Sequence, residues 1–223
     1  MKYFKAYILI AVLALIISSV NAQTINWASL KENKHIININ GGIEYGLTLG
    51  LGYGHQIINR LFPIVVNLEY SSPSGDLIFD DFKTRIGGNF RLLEYHGIEL
   101  STKIQGVFRR YQNDFARLLN FGSDVSVIAG YYRPRLFVAA EFGLDKAIVT
   151  HFKNSELYKG QYPDAVNGWY EPDTGGNYYY GLQAGFSVRK VDIYLRAGKI
   201  LSQDFKSTPM IPIYGQLGFN IKF

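Results

Sequence analysis

Cysteine is absent from the 223 residues. That excludes a disulfide framework, a thiolate metal site, a cysteine nucleophile and a lipid anchor on a cysteine behind a leader. Long apolar runs are lacking too: beyond Ala6 to about Val20, no segment stays apolar long enough to cross a bilayer as a helix. That one stretch, with Lys2 and Lys5 before it and Val20-Asn21-Ala22 after it, reads as a secretory leader cut ahead of Gln23. It falls short of the ~20 residues of a spanning anchor. The expected division is therefore residues 1–22 as signal peptide and 23–223 as one mature domain. Charge of one sign is scarce. The net +5 drops to about +3 when Lys2 and Lys5 leave with the leader, too mild and too scattered to argue for nucleic acid. The four histidines lack metal-site spacing. Gly50, Gly52 and Gly54 have neither the spacing nor the following helix of a phosphate-binding loop, so strand glycines on an inner face are expected and no cofactor is.

Aromatics are plentiful, with 17 Tyr and 15 Phe, and so are glycines, at 23. Strict alternation organises them. At the C-terminus, Ile211, Ile213, Gly215, Leu217, Phe219, Ile221 and Phe223 share one face, and Tyr214, Gln216, Gly218, Asn220 and Lys222 the other. Such a segment suits a strand with lipid on one side and a wet interior on the other. Val191 to Ala197 and Tyr178 to Val188 repeat it around an Arg189-Lys190 hairpin, with Val188 opposite Val191. Further pairs run Val125 to Tyr131 with Leu136 to Phe142, turning at Arg133-Pro134, and Phe82 to Leu92 with Ile98 to Phe108; Phe62 to Tyr70 forms another strand. Odd positions from Ile37 to Tyr53 are nearly all apolar, so a tight turn of odd length near Gly41-Gly42 is expected there.

A terminal strand ending in Phe219, Ile221 and Phe223 resembles the assembly signal of Gram-negative outer-membrane β-barrels. With the leader and the repeated alternation, nearly the whole mature chain resembles the small outer-membrane β-barrel family of Gram-negative bacteria. The resemblance implies an all-β, transmembrane, antiparallel up-and-down barrel in the cell outer membrane, inserted by the barrel-insertion machinery and surrounded by outer-membrane lipid and lipopolysaccharide. Single-chain bacterial barrels have even strand numbers. Ten strands is the expectation, and eight the alternative if part of residues 35–55 does not pair.

Parity sends Glu44, Glu69, Lys83, Arg85, Arg91, Glu99, Lys103, Arg109, Glu141, Asp192, Arg196 and Lys222 inward. A lumen this narrow is filled by side chains. The charges are expected to pair with one another, Glu69, Arg85, Arg91, Glu99, Lys103, Glu141, Asp192 and Arg196 forming the candidate network. An ion-selective pore lined by a basic excess is the alternative.

Catalytic signatures of small outer-membrane barrels are missing. No histidine begins a His-x-Ser pair: Phe152-Lys153 follows His151, Gly97-Ile98 follows His96, Gln56-Ile57 follows His55 and Ile36-Ile37 follows His35. No Asp-x-His faces Asp80 and Asp81. No enzyme is expected, and no catalytic residue is assigned; a lipid A-modifying or proteolytic activity remains the alternative, since triads are defined by geometry. Arg109-Arg110 is read as the solvated start of an outer loop, or as a phosphate grip. Residues 145–176 form the longest expected connection, on the outer side, where Phe152, Tyr158, Tyr162, Trp169, Tyr170 and Asp173 suit an extracellular glycan or protein; an aromatic-rich lid folded over the barrel mouth is the alternative. The loop at residues 71–81, with Asp76, Phe79, Asp80 and Asp81, lies on the same side. The expected protein is a monomeric, non-enzymatic barrel displaying loops for surface interaction or envelope integrity.

Overall fold

The computed structural model describes residues 23–30, 33–44, 46–58, 62–73, 81–172 and 175–223. The expected leader lies outside them, as do Asp76, Phe79, Asp80 and Asp173 of the expected loops. The strands are β1 (His35–Ile43), β2 (Leu47–Ile57), β3 (Ile64–Pro73), β4 (Phe82–Tyr95), β5 (Ile98–Gln112), β6 (Ala116–Tyr132), β7 (Leu136–Asn154), β8 (Gly168–Tyr170), β9 (Gly176–Val188), β10 (Val191–Ser202) and β11 (Ile213–Lys222). All but β8 form a closed ring of ten antiparallel strands, each paired with its neighbour in sequence. β1 closes the ring on β11, with Ile37 opposite Ile221 and Ile39 opposite Phe219. β8 sits beyond β9 on the upper part of β7.

The wall is inverted relative to a water-soluble core. Leu51 (59%), Ile86 (62%) and Leu182 (61%) are exposed on its outside, whereas Asn38, Gln216 and Asn220 are buried inside it. That arrangement matches a strand wall facing hydrocarbon. The proximal end carries Phe223, the end of β2, the start of β3 and the connections 96–97, 133–135 and 189–190; the distal end carries the end of β1, the starts of β2 and β4, the end of β3, and the connections 113–115, 155–172 and 203–212. At the His96-Gly97 turn both residues have positive φ, 52° and 89°, and only glycine takes the second without strain.

Three expectations on connections are corrected. Gly41 and Gly42 pair within β1, and the odd-length turn is the three residues 44–46, because Ile43 opposite Leu47 keeps both apolar sets outside. β5 runs on to Gln112, so Arg109 is buried within the wall instead of opening a loop. The first ten residues of the expected loop 145–176 belong to β7; its remainder holds helix α2 (Glu156–Gln161) and β8. Helix α2 is capped by Ser155, whose hydroxyl accepts the Tyr158 N–H.

Residues 23–30 occupy the proximal end of the lumen. Helix α1 (Trp27–Leu30) buries Trp27 and Leu30 with Ile25 against Ile36, Val65, Tyr132, Phe137 and Tyr194. Polar bonds fasten this plug: Asn26 Nδ2 donates to Ser187 Oγ (2.8 Å) and to the Arg133 carbonyl (3.1 Å), and Asn220 Nδ2 donates to the Thr24 carbonyl (2.6 Å).

Candidate functional site

The inward charges sort into clusters stacked along the barrel. Towards the distal end, Arg85 Nη2 contacts both Glu44 oxygens at 2.8 Å, and its Nε lies 3.7 Å from Asp124. Lys83 joins Glu44 to Asp145, 3.0 Å from each, while Arg109 pairs with Asp145 and donates to Asn120 Oδ1 at 2.7 Å. Lys103 lies 3.8 Å from Asp124. Glu44, which parity placed in a strand, reaches this cluster from the 44–46 turn.

A second cluster centres on Glu141, paired with Arg196, whose guanidinium stacks over Tyr179 (5.3 Å) and Tyr214 (5.0 Å). Tyr179 donates to Asp124 at 2.6 Å, joining the two clusters. Between them lies a cavity of about 20 Å³, room for roughly one water. Near the plug, Lys222 Nζ binds Asp192 at 2.5 Å and Ser29 Oγ at 2.6 Å. Arg91 is half-buried at the proximal rim, 2.9 Å from Glu94 and 3.9 Å from Glu99, and lies 5.9 Å from the Trp27 ring. Glu69 is buried beside Gln105, whose Nε2 donates to its Oε1 at 3.2 Å.

Sequence reasoning missed Asp124 and Asp145. Both follow the parity of neighbouring strand residues, but lay just beyond the recognised strand limits. Including them removes the basic excess on which the pore alternative was built: the fully buried lumen charges are Lys83, Arg85, Lys103, Arg109, Arg196 and Lys222 against Glu69, Glu99, Asp124, Glu141, Asp145 and Asp192.

The distal aromatic residues divide into two groups. Phe152, Tyr158 and Tyr170 line a cleft of about 520 Å³ with Val166, Pro172 and the polar Asn154 and Glu171. Tyr162 packs against Tyr158 in a tilted arrangement, ring centroids 5.0 Å apart. Trp169 is apart, against His151 (4.8 Å) and Phe121 (6.1 Å) on the outer wall. A register shift near Phe121, which leaves Ile148 unpaired opposite β6, separates the inward sequence ending at Asp145 from buried Thr150. Such a bulge flips the downstream parity. Asp81, the described member of the carboxylate loop, accepts the Gln112 N–H at 2.7 Å.

At the C-terminus, Phe219, Ile221 and Phe223 face outward along the β1–β11 seam. The Phe223 ring stacks on His35 at 5.3 Å, and His35 lies 4.9 Å from His55.

No family model matches the chain. No curated protein matches it either. Among solved structures 32 chains match. One, described as "Unveiling the Mechanism Behind the in-meso Crystallization of Membrane Proteins", is similar over 85% of this chain and 84% of its own, at 7% sequence identity and a TM-score of 0.42. Similarity at that level leaves function to be read from the residues themselves.

Proposed function

We propose that the protein is a monomeric, non-enzymatic β-barrel of the bacterial outer membrane, closed to solutes, whose rigid wall displays the distal loops at the cell surface. One observation carries the closed reading: each of the six buried lumen cations among the described residues is paired with a carboxylate. An ion crossing the lumen would have to break such pairs, and a buried charge without its partner is costly. The plug and the one-water cavity support the same reading. The apolar outer wall supports contact with outer-membrane lipid and lipopolysaccharide, and the outward Phe219, Ile221 and Phe223 support reading by the insertion machinery. The distal cleft offers aromatic walls to the apolar face of a sugar ring and Asn154 and Glu171 to its hydroxyls, so its proposed occupant is an extracellular glycan.

Because cysteine is absent, single-cysteine variants give clean topology markers. In intact cells a membrane-impermeant maleimide is expected to label Tyr162→Cys, and to label Lys190→Cys only after the outer membrane is opened. Equal labelling of both in intact cells, or of neither, contradicts this placement.

A further inference from the structure

Five of the six buried lumen carboxylates have a basic partner: Glu99 has Arg91, Asp124 has Arg85 and Lys103, Glu141 has Arg196, Asp145 has Lys83 and Arg109, and Asp192 has Lys222. Glu69 has no cation within 4 Å among the described residues, although it is only 2% exposed. Arg85 stands directly across from it on β4, but its guanidinium reaches to Glu44 and Asp124 instead. Glu69 Oε1 accepts from Asn67 Nδ2 (2.5 Å), Gln105 Nε2 (3.2 Å) and the backbone N of Gln23 (3.2 Å). Its Oε2 has no hydrogen-bond partner among the described residues. A carboxylate held in this way has only the more distant charge of Arg85 to offset its own, and no cation in direct contact among the described residues.

The Gln23 nitrogen is the atom that becomes an α-ammonium when the leader is cut. Water hydrolyses the Ala22–Gln23 peptide bond, the carboxylate leaves with Ala22, and the freed amine takes up a proton. We infer that this new α-ammonium is the counter-ion of Glu69, so that leader removal itself supplies the charge that locks the plug into the lumen. An ammonium has three donors where the amide has one, enough to serve the orphaned Oε2 as well. Its seat is prepared by β2: a Cβ on Gly54 would lie 3.0 Å from Gln23 Nε2 and from Val65 Cγ1, and one on Gly52 would lie 3.3 Å from Glu69 Cγ. The glycine alternation thus leaves the space that Gln23 and Glu69 occupy. The pairing rests on the proposed removal of residues 1–22 and is independent of whether the lumen conducts.

The test starts with the intact mass and N-terminal sequence of the protein isolated from membranes. A free Gln23 amine is expected; another first residue, or a Gln23 cyclised to the uncharged pyroglutamate, overturns the inference. Two mature chains are then refolded in detergent, one beginning at Gln23 and released from a fusion without extra residues, the other carrying one added Ala ahead of Gln23. Each is made with Glu69 and with Glu69→Gln. The substitution is expected to lower the unfolding midpoint by about 5 °C in the Gln23 chain and to change the extended chain little. Equal effects in both chains would show that Glu69 acts without the terminal charge. Amine labelling reads the same pair without any substitution: the α-amine of the folded Gln23 chain is expected to react roughly tenfold more slowly than that of the folded extended chain. Equal labelling rates overturn the pairing. A conducting lumen would sink the closed-barrel reading and leave this result untouched.

Discussion

Glu44 shows how much a single side chain contributes at the distal end. Burial alone would push its carboxyl up, but Arg85 and Lys83 beside it outweigh that and hold it down at about 2. A depressed carboxyl stabilises the fold fully above its unfolded value, near 4.5, and loses that contribution as pH falls towards 2. Thermal unfolding in detergent is therefore expected to be insensitive to Glu44 titration from neutral pH down to about 5, then to weaken in acid, and Glu44→Gln is expected to flatten that acid limb. Asp145→Asn is the more severe change, since it takes the carboxylate from Arg109 and one of the two carboxylates from Lys83. A loss of about 3–5 kcal/mol is expected from denaturant titration of the refolded barrel. Parity in the sequence was enough to turn Glu69, Arg85 and Arg196 inward. It did not name their partners, because cross-barrel pairing depends on stagger and side-chain reach, which a single strand does not encode.

Strands were the most legible elements. The Val188–Val191 pairing and the C-terminal alternation were readable because one face is apolar at almost every step. Legibility failed where alternation breaks. Leu118 and Leu119 are adjacent apolar residues in the upper half of β6, and the bulge on β7 resets the phase before Phe152. The eye therefore ends both strands early and calls the remainder loop. The plug was invisible for another reason: eight residues and one short helix carry no period to read, and their burial comes from the barrel around them. Trp27→Ala is expected to cost about 3–5 kcal/mol by leaving a hole among Ile36, Val65 and Tyr132, measurable as a lowered temperature for the folded-to-unfolded band shift on electrophoresis. The cleft shows the same limit, since its aromatic composition was evident while its membership was not: Phe152, Tyr158 and Tyr170 converge, and Trp169 turns to the outer wall.

At the scale of the whole molecule, the barrel is an apolar sleeve around a polar, ion-paired interior, the inverse of a water-soluble core. Its two faces should respond oppositely to added charge. Leu182→Arg, placed midway along β9 on the outer wall, is expected to cost about 2–4 kcal/mol when the barrel is refolded into bilayers, whereas detergent-refolded protein should tolerate it better. Equal cost in the two media would contradict lipid contact at this position. Whether the lumen is closed is decided by single-channel recording from residues 23–223 in a planar bilayer. A flat baseline is expected from the intact barrel, and current steps once residues 23–30 are removed and Asp145 is replaced by Ala, which opens both ends. Reproducible steps from the intact, folded protein would contradict closure.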